Sequence, residues 1–236
     1  RQMCIRDSFW VVIPAAGVGA RMQADRPKQY LQLGGRCIIE HTLECFLDHP
    51  GLKGLVVSLA AGDPYWPVLA CASDPRIQLA EGGVERSSSV LNGLQALAGL
   101  GAAADDWVLV HDAARPNLSR ADLDLLLGEL ADAPVGGLLA VPSRDTLKRV
   151  RPDGRVLETL DRSHIWQAFT PQMFRLNTLQ HALLEANLVG ATITDEASAI
   201  ELAGLAPRLI EGRADNLKIT RPEDLDWLRQ QWTASS

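Results

Sequence analysis

Near the start of the chain, a short apolar run ends at a proline and opens into a loop of small residues. The run is Val-Val-Ile-Pro at residues 11–14, and the loop at residues 15–22 reads Ala-Ala-Gly-Val-Gly-Ala-Arg-Met. β-Branched residues favour a buried strand, and Ala and Gly let backbone N–H groups approach a ligand closely. The pattern predicts a strand that leads into a phosphate-binding loop, with an ordinary tight strand-to-helix turn as the alternative.

Two familiar phosphate-binding motifs do not match this loop. The dinucleotide fingerprint needs a third Gly where Met22 stands, and the P-loop needs a Gly-Lys-Ser/Thr sequence that is absent here. What remains is a Gly-rich loop that contains Arg21 and is followed by Lys28. Two fixed cations beside a backbone that binds anions suit the transfer of a nucleotide from a triphosphate. Arg21 and Lys28 are therefore the candidate catalytic residues.

Length and composition favour one domain and exclude several classes of partner. With 236 residues, 47% of them apolar, the chain can bury a sizeable core. The net charge of −6 argues against nucleic acid and anionic membranes as partners, and no apolar run reaches transmembrane length. We therefore expect a cytoplasmic domain over residues 9–236, preceded by an unstructured leader at residues 1–8.

The cysteines and histidines do not suggest a metal or redox centre. None of the four cysteines has C-x-x-C spacing, and the five histidines form no H-E-x-x-H or similar ligand spacing. We assign no histidine to a metal.

Apolar runs alternate with helical patterns along most of the chain. Strand-like runs cover residues 55–60, 77–80, 107–110, 137–142 and 208–211, and helical spacing covers residues 38–47, 90–97 and 176–188. This alternation predicts a mostly parallel α/β sheet that binds its ligands at the carboxyl ends of the strands. The Gly82-Gly83 turn and the serines at 87–89 should then lie near the first loop, unless they form a plain turn with serine caps.

Asp112 follows a predicted buried strand directly. An ionised carboxylate at that position needs a partner, which could be Mg²⁺ bound to substrate phosphates or Arg115 three residues later. The strand-end position and the small residues around Asp112 favour the metal, and the Asp–Arg pair stays open as the alternative.

Residues 146–160 predict a β-hairpin within an arm at about 143–165. Two segments of alternating character flank Pro-Asp-Gly at 152–154, which is a turn sequence. A two-stranded ribbon is marginal by itself in water, and this one has no wide apolar face. We therefore expect it to pack against another surface, most simply a second subunit.

Several motifs in one order carry a family resemblance. They are His-Asp-Ala-Ala-Arg-Pro at 111–116, Asp-Thr-Leu-Lys at 145–148, Thr-Pro-Gln at 170–172, Ala-Thr-Ile-Thr-Asp-Glu-Ala-Ser at 191–198 and Glu-Gly-Arg-Ala-Asp-Asn at 211–216. The first loop and Pro27-Lys28 resemble nucleotidyltransferases that activate sugar or polyol phosphates. Together the motifs resemble the 2-C-methyl-D-erythritol 4-phosphate cytidylyltransferase family, from about Phe9 to the final helix.

The resemblance implies a fold, a reaction and a set of site residues. The fold would be a Rossmann-like, mostly parallel sheet flanked by helices, with an arm exchanged within a homodimer. The reaction would transfer CMP from CTP to methylerythritol phosphate with Mg²⁺ or another divalent cation, in non-mevalonate isoprenoid synthesis. Nucleotide-binding residues would be Ala15, Ala16, Gly17, Gly19, Gly83, Ser89 and Asp112. Substrate-binding residues would be Arg115, Thr146, Arg162, Thr194 and Lys218, with Thr146 and Arg162 serving the partner's site. Asp112 and Asp215 would bind the metal.

Other functions stay open on the sequence alone. A ribitol-5-phosphate cytidylyltransferase shares the loop, the Asp-Ala-Ala-Arg stretch and the arm, although residues 191–198 and 211–216 favour methylerythritol. A nucleotide-binding regulatory module or an NAD-dependent oxidoreductase would use a similar sheet. The oxidoreductase should have an acidic residue after the second strand, where this chain has Ser-Leu-Ala-Ala at 58–61.

Overall fold

A seven-stranded sheet and six α-helices make up most of the computed structural model, which describes residues 8–17, 19, 22 and 24–234. The strands are β1 (Phe9–Pro14), β2 (Gln32–Leu33), β3 (Arg36–Cys37), β4 (Leu52–Leu59), β5 (Ile77–Glu81), β6 (Trp107–Val110), β7 (Gly136–Pro142), β8 (Lys148–Val150), β9 (Val156–Thr159), β10 (Trp166–Arg175) and β11 (Arg208–Glu211). The helices are α1 (Ile38–Leu47), α2 (Arg86–Gly99), α3 (Arg120–Leu130), α4 (Leu176–Leu188), α5 (Glu196–Leu202) and α6 (Pro222–Ala234).

The main sheet has the strand order β11-β7-β10-β6-β1-β4-β5. β1 pairs in parallel with β4 and β6, β4 with β5, and β7 with β11, whereas β10 runs antiparallel to both of its neighbours. The predicted mostly parallel α/β sheet is therefore confirmed. The carboxyl ends of β1, β4, β5 and β6 meet at one edge, which is where the loops of the candidate site emerge.

Helices cover both faces of the sheet because its central strands are apolar on both sides. In β1, Phe9, Val11 and Ile13 pack into the cluster that includes α1 and α3, and Trp10 and Val12 pack into the cluster that includes α2 and α4. This two-sided burial is typical of parallel strands and explains the unbroken apolar run in the sequence.

The last helix closes the edge of the sheet where the loops emerge. Leu225 and Leu228 of α6 are buried in a third cluster with Met22, Ala114 and Ile219. Met22 is the last residue of the first loop, and Ala114 lies in the loop after β6. α6 therefore packs beside the loops after β1 and β6.

The predicted hairpin is present as a separate two-stranded sheet. β8 pairs with β9 in antiparallel fashion, and Arg149 forms an ion pair with Glu158 across it. Its apolar side chains are left in solvent: Val150, Val156 and Leu157 are each at least half exposed. The hairpin itself is confirmed, and its role in a dimer stays a prediction. Residues 1–7 of the predicted leader lie outside the described residues.

Candidate active site

A cavity of about 200 Å³ lies where the loops after β1, β5 and β6 meet the segment before α6. Its walls combine small residues with a few charged side chains, an arrangement that suits a polar ligand with an anionic part. The residues lining it include Ala15, Ala16, Gly17, Lys28, Gly83, Arg86, Ser89, Asp112 and Lys218.

Gln29 holds the first loop in place. The side chain is buried, and its Nε2 donates to the carbonyl oxygens of Ala15 at 2.6 Å and Gly17 at 3.3 Å. The N–H of Ala15 donates to the Ser58 carbonyl at the end of β4. Because Gln29 binds the carbonyl oxygens of Ala15 and Gly17, the loop is held in place with its small residues on the wall of the cavity.

The second glycine turn packs directly against the first loop. A Cβ on Gly82 would overlap Ala16, so only glycine allows this approach. The Gly83 N–H donates to Ser89 Oγ at 3.0 Å, and that hydroxyl donates to the Glu85 carbonyl at 3.1 Å. The predicted proximity of this turn to the first loop is confirmed, and Ser89 fixes the turn to α2.

Lys28 follows the first loop and also lines the cavity. Its Nζ donates to the Ile219 carbonyl at 2.8 Å, so the ammonium bridges the first loop and the segment before α6. Gly19 has a φ of 66°, and a Cβ there would stand 3.1 Å from the Lys28 Cγ. The other predicted catalytic residue, Arg21, lies outside the described residues.

Three cations surround the carboxylate of Asp112. Oδ1 is 3.2 Å from Arg86 Nε, and Oδ2 is 2.9 Å from Lys218 Nζ and 3.3 Å from Arg115 Nε. Burial of this carboxyl group opposes its ionisation, but the three positive charges outweigh burial and hold its pKa well below the usual range. Asp112 is therefore an anion that orders two arginines and a lysine at the cavity.

A buried chain of hydrogen bonds fixes the backbone of Asp112. His111 Nε2 lies 3.0 Å from the Arg115 carbonyl, which can only accept, so this nitrogen carries the ring proton. His111 Nδ1 then accepts from the Thr170 hydroxyl at 3.0 Å, and the same hydroxyl accepts from the Asp112 N–H at 3.1 Å. Burial lowers the pKa of His111 to about 4, which keeps the imidazole neutral.

Arg115 ties the Asp112 loop to the segment that carries Lys218. The side chain is buried, and its Nη1 donates to the Asn216 carbonyl at 2.7 Å. Asn216 is also buried, and its Nδ2 donates to the Thr170 carbonyl at 2.8 Å. The Asp–Arg pair that the sequence left open is therefore present, within a larger network that joins three loops.

Comparison with known proteins places this site in a family. The profile of the 2-C-methyl-D-erythritol 4-phosphate cytidylyltransferase family matches residues 9–230. The chain belongs to this family. A relative of that name from Pseudomonas fluorescens SBW25 is 76% identical over 225 residues, covering 95% of this chain and 96% of the relative. Another from Pseudomonas syringae pv. tomato is 72% identical over 224 residues, covering 95% of each chain.

Solved structures of cytidylyltransferases share the fold. A 2-C-methyl-D-erythritol 4-phosphate cytidylyltransferase from Francisella tularensis is 36% identical, with a TM-score of 0.82 over 95% of this chain and 99% of that one. The enzyme from Thermus thermophilus is 31% identical, with a TM-score of 0.77 over 95% and 98% of the two chains. The Rossmann-like fold expected from the family resemblance is therefore confirmed.

The structure brings most of the cytidylyltransferase site residues predicted from the sequence to one place. The cavity is lined by eight of them, namely Ala15, Ala16, Gly17, Lys28, Gly83, Ser89, Asp112 and Lys218. Gly19 lies against Lys28, and Arg115 lies behind Asp112. The roles given to these residues by the family resemblance stay predictions.

Besides Gly19 and Arg115, four described residues predicted for the cytidylyltransferase site do not line the cavity of their own chain. Thr146 and Arg162 are exposed at the two ends of the arm, and Thr194 is exposed just before α5. Asp215 is half-buried, and its carboxylate pairs with Arg213 at 2.9 and 2.5 Å. Their roles require a ligand or a partner chain beyond the contacts within this chain.

The residues at the cavity fit a divalent cation only in part. Mg²⁺ in proteins is held by one or two carboxylates together with phosphate oxygens and water. Asp112 places such a carboxylate in the cavity wall, where Arg86, Arg115 and Lys218 already contact its oxygens, and the Asp215 carboxylate is occupied by Arg213. Within the described ranges, no group of three His, Cys, Asp or Glu side chains could hold a metal. The fit is therefore to a cation that arrives on nucleotide phosphates and gains one protein ligand.

Sequence reasoning missed four residues that organise the site: Gln29, Arg86, Thr170 and Glu196. Thr170 and Glu196 stood inside quoted motifs without a role, and Gln29 directly follows Pro27-Lys28. Arg86 begins α2 directly after the Gly82-Gly83 turn, and this position could have marked it as a cavity residue. The pairing of Glu196 with Arg86 gave no local signal, because the two residues are 110 positions apart.

Among the described residues, no helix has both the length and the hydropathy needed to span a membrane. The predicted cytoplasmic location stays a prediction.

Proposed function

We infer that this chain transfers CMP from CTP to 2-C-methyl-D-erythritol 4-phosphate. The products are 4-diphosphocytidyl-2-C-methyl-D-erythritol and pyrophosphate. The observation that carries this inference is a cationic, Gly-rich cavity at the expected edge of the sheet, in a chain 76% identical to a relative named for this activity.

Positioning and electrostatics account for the chemistry. The small residues 16 and 17 let a triphosphate approach the backbone closely, and Lys28 and Lys218 stand on the wall of the cavity. A phosphate oxygen of the second substrate attacks the α-phosphorus, and the bond to pyrophosphate breaks. The attacking phosphate is already anionic at neutral pH, so no general base is required. Charge that develops on the leaving pyrophosphate is stabilised by Lys28, and we propose the same role for Arg21.

We propose that Mg²⁺, or another divalent cation, enters the site with the triphosphate. Asp112 would hold it, and Asp215 would join only after release from Arg213. The cation would neutralise charge on the phosphates. The test is pyrophosphate release after chelation, with stepwise return of Mg²⁺ or Mn²⁺. Full turnover in excess chelator would show that the reaction needs no divalent cation.

The substrate assignment is tested by turnover with matched pairs. CTP, UTP and ATP are each combined with methylerythritol phosphate or ribitol 5-phosphate, and pyrophosphate release is measured. We expect turnover only with CTP, methylerythritol phosphate and a divalent cation together. Equal turnover with ribitol 5-phosphate would move the assignment to the rival polyol.

We further propose that two copies of the chain form a dimer through the arm. Supporting this, the arm exposes Val150, Val156 and Leu157 and has no core of its own. Thr146 and Arg162, at its ends, would then complete the site of the neighbouring subunit.

Mixing two inactive variants tests the exchange of the arm. In a crossed arrangement, a dimer of one Arg162→Ala chain and one Lys28→Ala chain has one site with both changes and one with neither. Half of the dimers are mixed and half of their sites are intact, so activity should return to roughly a quarter of the wild-type value. If mass spectrometry shows subunit exchange without recovery, Arg162 acts in its own subunit's site.

A further inference from the structure

Glu196 is a buried carboxylate that binds one arginine at two points. Its side chain is 1% exposed at the start of α5, and both of its oxygens accept from Arg86, at 2.5 Å from Nη1 and 3.1 Å from Nη2. A two-point contact of this kind fixes the plane of the guanidinium as well as its position. The pair joins α5 to the first residue of α2.

The remaining edge of the same guanidinium faces the active site. Arg86 lines the cavity, and its Nε donates to Asp112 Oδ1 at 3.2 Å. The other oxygen of Asp112 contacts Lys218 and Arg115. The Arg86 contact is therefore the one that fixes the Oδ1 side of this carboxylate in the described structure.

The anchor behind Arg86 is itself held by several hydrogen bonds. Asp195 caps α5 by accepting from the Ser198 N–H at 3.0 Å, and its other oxygen accepts from Gln172 Nε2 at 2.9 Å. Gln172 Oε1 accepts from the Ala197 N–H at 2.7 Å. Since Gln172 belongs to β10, an interior strand of the sheet, these bonds fasten the start of α5 to the sheet. Glu196 thus has a fixed place from which to orient Arg86.

We propose that Arg86, anchored by Glu196, is a positioning residue that sets the orientation of the Asp112 carboxylate for nucleotidyl transfer. The inference rests on the function proposed above. It requires the planar fork of arginine, because one lysine ammonium cannot bind Glu196 at two points and reach Asp112 as well. Charge alone at this position is therefore insufficient.

The first test compares Arg86→Lys with a matched control. Arg120 is also the first residue of its helix and pairs with Asp124 at 2.8 Å, but it is half exposed and away from the cavity. We expect Arg86→Lys to lower kcat about 10- to 100-fold, the scale seen when a residue that orients another site residue is changed, with little change in the KM for CTP. Arg120→Lys should keep the wild-type kcat.

A second variant tests the same proposal if Arg86→Lys does not fold. Glu196→Gln keeps the size of the side chain but removes the charge that anchors Arg86, so it should show the same loss of kcat. Circular dichroism establishes that each variant is folded at the assay temperature. A wild-type kcat in folded Arg86→Lys or Glu196→Gln would overturn the proposal.

A double-mutant cycle separates positioning from a general structural role. If Arg86 acts through Asp112, adding Arg86→Lys to an Asp112→Asn chain should cause little further loss of kcat/KM. An equal loss on both backgrounds would overturn the proposal, because the effect would not pass through Asp112. Wild-type protein that turns over neither polyol phosphate would refute the proposed function and this inference together. Normal wild-type turnover with an unaffected Arg86→Lys would refute this inference alone.

Discussion

Replacing Thr170 by Val tests whether the buried network behind Asp112 stabilises the fold and the site. Thr170 is 3% exposed, and its hydroxyl both accepts from the Asp112 N–H and donates to His111 Nδ1. Valine has nearly the same shape but no hydroxyl, so it leaves one buried donor and one buried acceptor without partners. Thr170→Ser keeps the hydroxyl and loses only a methyl group, which makes it the matched control.

The structure sets the size of the expected effect. An unsatisfied buried polar group costs about 1–3 kcal/mol, so the two groups left by Thr170→Val together cost about 2–6 kcal/mol. Loss of one buried methyl group in Thr170→Ser costs about 1 kcal/mol. A typical domain is stable by only about 5–15 kcal/mol, so the valine variant should lie close to its unfolding limit.

Urea unfolding at 25 °C, followed by circular dichroism, measures both variants against the wild type. We expect the valine variant to be less stable than the serine variant, although valine is the more apolar residue. Its kcat should also fall further, since Thr170 holds the backbone N–H of Asp112. A valine variant as stable as the serine variant would refute the argument, because the hydroxyl would then contribute nothing net to the fold.

Three further predictions concern other parts of the chain. Lys28→Ala should lower kcat by on the order of 10²–10³-fold in a pyrophosphate-release assay, because its charge acts most strongly on the transition state; a change in KM alone would contradict this. Gly93→Ala should lower the free energy of unfolding, measured in urea, by about 1–3 kcal/mol, because its Cβ would stand 2.5 Å from Val12 Cγ1. The higher helix propensity of alanine offsets part of this loss. Gly128→Ala in α3, where a Cβ meets nothing within 4 Å, should instead raise the free energy of unfolding by about 1 kcal/mol. Burial lowers the pKa of His41 below its ordinary 6.5, so the unfolded chain binds more protons and stability should fall as the pH drops through and below 6.5. His41→Gln should reduce this pH dependence in unfolding curves, and an unchanged slope would contradict the argument.

Local patterns in the sequence determined the elements and many of their bounds. Helical spacing predicted residues 38–47 and 176–188, which are the bounds of α1 and α4. The Pro-Asp-Gly turn predicted the hairpin of β8 and β9, and the Gly-rich run after β1 predicted the cavity loop. Such features are visible because periodicity, caps and turns depend on residues a few positions apart.

The direction of β10 and the partners of Asp112 were decided by tertiary structure. Alternating strands and helices predicted parallel neighbours, yet the chain returns from the arm antiparallel to β6 and β7. From the sequence, the predicted partner of Asp112 was either a metal ion or Arg115, three residues later. Folding adds Arg86, 26 residues earlier, and Lys218 at the far end of the chain. A buried carboxylate pairs with the cations that lie close to it in the folded chain. Which cations these are depends on how the loops pack together, and local spacing in the sequence does not specify that packing.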